Sequence, residues 1–536
     1  MLTFGQFIQL AMLMASPTVA HNGGISRASP LLVRKGVPNA PDGYTPAQVS
    51  CPETRPVIRQ ATELSTDETV WLNLRGNNTI SALKDVLSRA NIGDIDTGGY
   101  LDSIVDDGGA LPRIGIAISG GGYRAMMNGA GAIAAFDDRI RGSTNEGHLG
   151  GILQAATYLS GLSGGSWAVG SLYTQNFTTV ESIISASSGF LSSLWQFDES
   201  ILGAYTFSSI ANDTDFAFAR APMPIIVAVE RTSGQVQIAS NSTIVEFNPW
   251  EMGSYDPGLA AFAPLKYMGS DFDNGTIRRG QQCIAGLDNV GFVMGTSSSL
   301  FNQAFLQIQK AGDAPDFLIE AINNTLADVG EENRDIANWP NPFYKYNPKN
   351  NSNADSAILT LVDGGEDLQN IPLHPLLLSE RQVDVIFAID GSADTRTRWP
   401  NGTTLVATYQ RSKAGISTQN SEFPKIPDQN TFINLGLNKR PTLFGCDTDS
   451  TNSSGPLIVY LPNAPYEYQS NFSTFDLEYS DSERDEIIRN GYNVATMGNG
   501  TVDSDWLACA ASQKQAPVWE TVPCGNNLEG LNDCAP

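Results

Sequence analysis

The sequence predicts an α/β fold in which helices cover a mostly parallel central sheet. Two strand–turn–helix units follow one another, over residues 113–136 and 156–172. Successive units of this kind align their strands in one direction and place their helices on the faces of the sheet. Two further apolar runs, 357–362 and 383–389, each end in Asp-Gly and predict two more strands of the same sheet.

The first unit carries three glycines, residues 120–122, between its strand and its helix. Glycines leave the N–H groups of a helix N-terminus unshielded, and such groups bind negative charge. One interpretation is a dinucleotide-binding turn, since an acidic pair follows a match to G-x-G-x-x-A: Gly120, Gly122, Ala125, Asp137 and Asp138. The other is an oxyanion hole for ester hydrolysis. We favour the second, because the signs of secretion described below count against a nicotinamide cofactor.

The second unit places Ser163 at the apex of its turn, within Gly161-Leu-Ser-Gly-Gly165. Glycines two before and two after the serine let the backbone adopt a strained conformation and leave space beside the hydroxyl. This pattern is typical of a serine nucleophile whose Oγ stands exposed above the sheet.

A serine hydroxyl becomes a nucleophile only when a neighbouring group takes its proton. Histidine is the usual partner. The chain has only three histidines, and one of them, His21, lies at the expected mature N-terminus. A triad could combine Ser163 with His374 and either Asp363 or Asp390. A carboxylate can instead act directly once burial raises its pKa towards the working pH. Asp363, at the end of an apolar strand, is well placed for that role.

Acidic residues outnumber basic ones, 57 against 32, so the chain of 536 residues carries a formal net charge of −25. Such a field repels polyanions, and we expect no nucleic-acid partner. The charge fits an enzyme that works in acidic surroundings, and equally a solvated acidic surface.

A signal-peptide pattern, the cysteines and the glycosylation sequons predict a secreted, extracellular glycoprotein. Residues 1–20 combine an apolar run with a small-residue cleavage site, as in a signal peptide, although no Lys or Arg precedes Arg27. No later apolar stretch is long enough to span a bilayer. The six cysteines include no C-x-x-C pair, which argues against a zinc site and fits up to three disulfides. Eleven N-x-[ST] sequons are spread along the chain, at Asn77, Asn176, Asn212, Asn241, Asn274, Asn323, Asn350, Asn401, Asn452, Asn471 and Asn499.

The expected organisation is a signal peptide at 1–20, an extended lead-in at 21–48, a catalytic domain at 49–510 and a cysteine-bearing tail at 511–536. Nothing in the pattern predicts the oligomeric state.

A cap is expected within the catalytic domain, inserted into the sheet over about 176–350. This range carries prolines, six of the sequons and aromatic clusters such as the one around Trp195. We expect irregular elements there around a helix near Asp316–Val329.

Three glycine-rich blocks resemble the catalytic blocks of secreted fungal lysophospholipases (phospholipase B). The blocks occur in the family's order, at Ser119–Met126, Gly161–Gly165 and Asp363–Pro372, and the resemblance covers roughly residues 50–510. The family is related to the catalytic domain of cytosolic phospholipase A and, more distantly, to patatin. The resemblance implies that the chain has the fold of cytosolic phospholipase A and patatin. It also implies that the protein is a serine carboxylic-ester hydrolase. It would cleave fatty-acyl esters of lysophospholipids and glycerophospholipids at a micelle or membrane surface.

The resemblance also implies roles for five residues. Ser163 would be the nucleophile and Asp363 its base, a dyad without histidine. Gly121 and Gly122 would donate oxyanion N–H groups, and Arg124 would bind the substrate phosphate, which its planar fork suits.

Neither a metal nor a cofactor is implied, because no calcium-dependent lipid-binding module precedes the catalytic region. The tail lacks the dense cysteines of the fungal group, which leaves cell-wall association open. The alternatives are a general secreted lipase or esterase with a Ser-His-Asp triad, and a non-catalytic cell-surface glycoprotein.

Overall fold

The structure is a computed structural model of the whole chain. It describes residues 40–41, 45–90, 92, 96–107, 109–186, 205–231, 238–239, 241–299, 337–416, 423–445, 455–474, 476 and 479–511. The expected signal peptide, the aromatic cluster around Trp195, the helix near Asp316–Val329 and the tail lie outside these residues, and so does nearly all of the lead-in.

Sixteen strands occur in the described residues. They are β1 (Ala47–Val49), β2 (Arg59–Gln60), β3 (Ile114–Ile118), β4 (Ala156–Leu162), β5 (Met223–Glu230), β6 (Ile244–Phe247), β7 (Glu251–Ser254), β8 (Ala261–Pro264), β9 (Phe272–Asp273), β10 (Thr276–Ile277), β11 (Cys283–Ala285), β12 (Ala337–Pro340), β13 (Ile358–Asp363), β14 (Val385–Asp390), β15 (Thr442–Phe444) and β16 (Leu457–Pro462).

Twelve α-helices occur in the same part of the chain. They are α1 (Thr66–Ala90), α2 (Thr97–Asp106), α3 (Gly122–Phe136), α4 (Ile152–Ala155), α5 (Gly164–Thr174), α6 (Val180–Ala186), α7 (Thr214–Ala217), α8 (Val290–Thr296), α9 (Thr403–Lys413), α10 (Gln429–Asn434), α11 (Asp481–Thr496) and α12 (Trp506–Ala511).

The central sheet is mixed, with a parallel middle. Strands β16, β14, β3, β4 and β5 lie side by side and parallel, as the two strand–turn–helix units predict. Antiparallel strands extend the sheet at both ends, β15 on one side and β6, β7, β8 and β2 on the other. The expectation of a mostly parallel sheet therefore holds only for the middle. Short connections such as the one between β6 and β7 join neighbouring strands as hairpins, which parallel pairing does not permit.

Part of the range expected to form a cap belongs to the central sheet. Strands β5 to β8, residues 223–264, continue the sheet beyond β4, and β12 joins it through β13. All eight residues of β5 are buried, as in a strand covered on both faces.

The α11 helix packs closely along α3 through glycines. A Cβ added at Gly131 would lie 2.2 Å from the Ile488 carbonyl oxygen, and one added at Gly491 would lie 2.5 Å from the Asn128 carbonyl oxygen. The α11 N-terminus is fixed by a capping box between Ser480 and Glu483. These contacts hold the residues just before α11 in a defined place beside α3.

The cysteine count allows up to three disulfides, and one of them is present at Cys51–Cys283, beside the pairing of β1 with β11. Cys509 is disulfide-bonded as well. Across the described residues we find no helix long and apolar enough to cross a membrane.

Candidate active site

The turn after β4 holds Ser163 in a left-handed backbone conformation. Its φ is 50° and its ψ is −122°, which a side chain other than glycine rarely adopts. The flanking glycines are required by close packing: a Cβ at Gly161 would lie 2.6 Å from the Gly165 carbonyl oxygen, and one at Gly165 would lie 2.2 Å from the Ile118 carbonyl oxygen. The sequence pattern predicts that the serine stands exposed above the sheet. That expectation is wrong, because only 2% of the surface of Ser163 is accessible.

Strands β4 and β13 meet end to end along the same edge of β5. Leu162, the last residue of β4, pairs with Val227, and Asp363, the last residue of β13, pairs with the next residue, Ala228. β4 runs parallel to β5 and β13 runs antiparallel to it, so their carboxyl ends face each other. This arrangement places Asp363 beside Ser163, the residue that follows β4.

The two side chains are joined by a hydrogen bond. The Ser163 hydroxyl donates to Asp363 Oδ2 at 2.9 Å, and the Gly365 N–H donates to Oδ1 at 3.0 Å. Burial raises the pKa of Asp363 from 3.8 to about 6, against the opposing effect of these two hydrogen bonds. Nearby Asp367 adds to the increase by charge repulsion. The carboxylate therefore combines reach with a basicity close to neutral pH.

The glycine loop after β3 packs against the serine turn with little space between them. A Cβ at Gly120 would lie 2.8 Å from Ser163 Cβ, and one at Gly164 would lie 2.1 Å from the Gly122 carbonyl oxygen. Gly121 and Gly122 have φ of 132° and 63°. Neither of their N–H groups has a hydrogen-bond acceptor in the described part of the chain. They remain available as donors next to the serine.

Arg124 is fully buried, and its guanidinium fork is only partly used. Nε donates to the Gly391 carbonyl at 2.8 Å, and Nη1 donates to the Phe472 carbonyl at 2.7 Å and to Thr474 Oγ1 at 3.1 Å. Nη2 has no partner among the described residues, and a Cβ at Gly121 would lie 2.3 Å from it. Burial lowers the pKa of Arg124 to about 10, so the group stays charged at neutral pH.

Ser297 and Ser299, just after α8, hold the two strand ends together and were not foreseen from the sequence. The Ser163 N–H donates to the Ser297 carbonyl and hydroxyl oxygens, both at 3.0 Å, and the Ser297 hydroxyl donates to the Val227 carbonyl. The Asp363 N–H donates to Ser299 Oγ at 2.8 Å. Serine runs are common in loops, so the sequence carries no clear signal for this role.

Asn370 fixes the glycine loop in a similar way. Its carbonyl accepts the Gly120 N–H at 2.9 Å, and its side-chain amide donates to the Gly120 carbonyl at 3.0 Å. Asn370 belongs to the third glycine-rich block, which thus supplies both Asp363 and a support for the first block.

The triad residues are not brought together. His374 Nε2 contacts Asp256 Oδ1 at 3.0 Å, and Asp390 accepts hydrogen bonds from Tyr460 Oη at 2.7 Å and the Ser392 N–H at 3.0 Å. Within the part of the chain that the structure describes, Ser163 Oγ has Asp363 as its hydrogen-bond partner. The described residues also contain no cluster of His, Cys, Asp and Glu suited to a metal ion.

A model of the lysophospholipase catalytic domain family matches residues 114–204 and 202–514. The chain belongs to this family. All three glycine-rich blocks fall within the matched residues, which confirms the resemblance seen in the sequence.

Curated fungal lysophospholipases are similar over most of their length. Lysophospholipase 2 of Aspergillus fumigatus is 52% identical, over 89% of this chain and 90% of that protein. A lysophospholipase of Penicillium chrysogenum is 49% identical over 89% of this chain and 87% of its own, and lysophospholipase 3 of Saccharomyces cerevisiae is 41% identical over 90% and 79%.

Among solved structures, human GIVD cytosolic phospholipase A2 has the same fold. The TM-score is 0.57 at 17% identity, covering 87% of this chain and 72% of that chain. The expected likeness to the cytosolic phospholipase fold is therefore confirmed for this lysophospholipase family member.

Proposed function

We propose that this lysophospholipase family member hydrolyses fatty-acyl esters of lysophospholipids and glycerophospholipids with Ser163 and Asp363 as its catalytic dyad. The observation that carries the proposal is the 2.9 Å hydrogen bond from the serine hydroxyl to a buried carboxylate. The names of the fungal relatives support the substrate class.

The first half-reaction is acylation of Ser163. Asp363 takes the hydroxyl proton as Oγ attacks the ester carbonyl, and the C–O bond of the ester then breaks. The departing alcohol, a glycerophosphodiester when the substrate is a lysophospholipid, receives that proton. A carboxylate whose pKa is about 6 both accepts and returns a proton near neutral pH.

The Gly121 and Gly122 N–H groups are proposed to bind the oxyanion of the tetrahedral intermediate. They lie at the N-terminus of α3, whose dipole adds to their positive charge. Loss of one such donor typically reduces kcat by a factor of about 10²–10³.

Deacylation repeats the same steps with water in place of the alcohol. Asp363 takes the proton of the attacking water, and Ser163 leaves with that proton as the free fatty acid forms. Acyl transfer to a second lipid competes wherever water enters slowly.

Arg124 is proposed to bind the phosphate of the substrate. Its unpartnered Nη2 lies next to Gly121, so a phosphate there would sit beside the oxyanion donors. Arginine pairs well with phosphate oxygens because its donors are planar and permanently charged.

Ser163→Ala tests the dyad directly. We expect it to abolish fatty-acid release from lysophosphatidylcholine and labelling by a fluorophosphonate, which reacts only with an activated serine. Fatty-acid release is measured by titration or mass spectrometry on purified protein.

The matched control is Ser171→Ala. Ser171 is buried on α5, and its hydroxyl donates to the Trp167 carbonyl. This variant should keep both activities. Substantial fatty-acid release by Ser163→Ala would remove the dyad and with it the proposed function.

Secretion and cell-wall association stay predictions of the sequence. Six of the sequon asparagines are exposed: Asn77, Asn176, Asn212, Asn241, Asn274 and Asn350. Asn401, Asn471 and Asn499 are half-buried, and the other two sequons lie outside the described residues. Exposed sequons and the Cys51–Cys283 disulfide support an extracellular location.

A further inference from the structure

Two buried polar atoms beside the glycine loop lack hydrogen-bond partners among the described residues. One is Nη2 of Arg124, and the other is the hydroxyl of Tyr479, the residue before the N-cap of α11. Natural proteins rarely leave such groups unpaired, because desolvation without a partner costs free energy. A pair of them close to the glycine loop indicates a site completed by a ligand.

Tyr479 lies near Arg124, which acts on it electrostatically, and its ring packs against two aromatic rings. Its ring lies 6.2 Å from that of Tyr123, which precedes Arg124, and 5.4 Å from that of Phe472. The Phe472 carbonyl in turn accepts a hydrogen bond from Arg124 Nη1 at 2.7 Å. The α11 N-terminal cap and the glycine contacts of α11 with α3 fix the position of Tyr479 further.

We propose that the Tyr479 hydroxyl donates a hydrogen bond to the same substrate phosphate that Arg124 Nη2 binds. The two donors then form one headgroup site, an inference that rests on the proposed function and assigns a further substrate-binding residue to it. A phosphodiester with a single negative charge matches one cationic donor and one neutral donor.

No contacting carboxylate among the described residues competes with a phosphate for Arg124. Arg124 bonds to two carbonyls and a hydroxyl, so no carboxylate neutralises it by contact within the described residues. Asp390 and Asp394 raise the pKa of Arg124 by their charge and Arg398 lowers it, without such a bond. Asp476 and Glu483 act in the same way on Tyr479.

Tyr479 is expected to remain a donor at every working pH. Burial is the largest cause of a raised pKa at this phenol, and the two acidic neighbours add to it. The hydroxyl therefore stays protonated while a phosphate binds.

The experiment compares two substrates that differ only in the headgroup: a lysophosphatidylcholine and the monoacylglycerol with the same acyl chain. In Tyr479→Phe we expect kcat/KM for the lysophospholipid to fall about tenfold, as for a lost hydrogen bond to a charged group. The value for the monoacylglycerol should stay within about twofold, since no phosphate contact is lost. Arg124→Lys should show the same split.

Tyr466→Phe is the matched control. Its hydroxyl is also buried and unpartnered among the described residues, but it lies against Gly498, beyond the far end of α11. This variant should behave as the unmodified protein on both substrates. Inhibition by glycerophosphocholine, the phosphate-bearing product, should weaken in Tyr479→Phe and not in Tyr466→Phe.

Each outcome decides between the proposals. Unchanged kinetics in Tyr479→Phe, or equal losses on both substrates, would overturn the phosphate contact while an inactive Ser163→Ala leaves the dyad standing. If Ser163→Ala is active, the proposed function fails and the headgroup site fails with it.

Discussion

The side chain on which the proposed chemistry depends is Asp363, a carboxylate that would act on Ser163 without a histidine. An aspartate in water is too weak a base to activate serine, because it is ionised far below the pH at which it must accept a proton. Here both carboxylate oxygens accept a hydrogen bond, and these bonds lower the pKa of Asp363. Burial has the larger effect and raises the pKa. Burial, with an added contribution from the charge of nearby Asp367, is what would make this carboxylate a usable general base.

The titration of Asp363 predicts an acid limb in the activity profile. Since the base must be ionised to take the serine proton, kcat/KM for lysophosphatidylcholine should fall about tenfold per pH unit below a pKa of about 6. The measurement is kcat/KM from pH 4 to pH 8 in buffers of constant ionic strength. A profile that stays flat down to pH 4.5 would contradict the assignment.

The stability of Asp363→Asn tests the same pKa independently. Because the folded pKa, about 6, exceeds the unfolded value of 3.8, the wild type loses stability as pH rises through this window. At pH values above this window, the wild type has lost the full amount, about 3 kcal/mol in the free energy of unfolding. The asparagine variant carries no such charge, so it should be inactive yet more stable than the wild type at pH 7. This difference in the free energy of unfolding should vanish near pH 3.5.

At the scale of elements, the site is the meeting point of two strands and two turns. β4 and β13 approach each other along β5, and the turn after β4 packs on the glycine loop after β3. The proposed oxyanion donors, nucleophile and base are thus carried on backbone segments that contact one another directly. A small displacement of one segment therefore changes the distances among the glycine N–H groups, the serine hydroxyl and the carboxylate.

Gly164→Ala should strongly reduce catalysis and also lower the free energy of unfolding. Its Cβ would lie 2.1 Å from the carbonyl oxygen and 3.0 Å from the nitrogen of Gly122, and backbone atoms there have little freedom to move. The glycine loop must then shift away from Ser163, and a displacement of this order costs about 10²-fold in kcat/KM. Steady-state kinetics and a thermal melt check this expectation.

Gly76→Ala provides the comparison. Gly76 lies inside α1, and a Cβ there would have no atom within 4 Å. Since alanine favours a helix over glycine, this variant should gain about 0.5–1 kcal/mol in the free energy of unfolding with unchanged activity. Equal activity in both variants would disprove the close contact at Gly164.

At the scale of the molecule, a buried ion network joins distant parts of the chain. Arg381 is fully buried and bonds to Glu68 at the start of α1, at 2.9 Å, and to Glu246 on β6, at 2.6 and 2.8 Å. Tyr158 on β4 also donates to Glu68. The network therefore ties the long helix to the middle of the sheet.

Arg381→Met should destabilise the protein by about 3–5 kcal/mol, because two buried carboxylates lose their partner. Chemical denaturation measures this change. The exposed pair Lys84–Asp102 serves as a contrast, since Lys84→Ala should cost no more than about 1 kcal/mol. Similar losses in the two variants would contradict a structural role for the buried network.

The sequence predicted the elements around the site closely. The strands that lead to residues 119, 163 and 363 and the helices that follow the first two are present, since apolar runs and glycine turns act locally. The place of residues 223–264 was not foreseen. A buried strand pairs with whichever neighbour the rest of the chain supplies, and sequence patterns do not name that neighbour.

The amino-acid sequence by itself determined the chemical groups: three glycine-rich blocks, a serine between glycines and an aspartate at the end of a strand. Only the tertiary structure decided that Asp363, and not His374, is hydrogen-bonded to Ser163. The reason is physical: β13 pairs antiparallel with β5 where β4 ends, so two residues 200 positions apart become neighbours and are buried together. Distance and desolvation are properties of the folded chain.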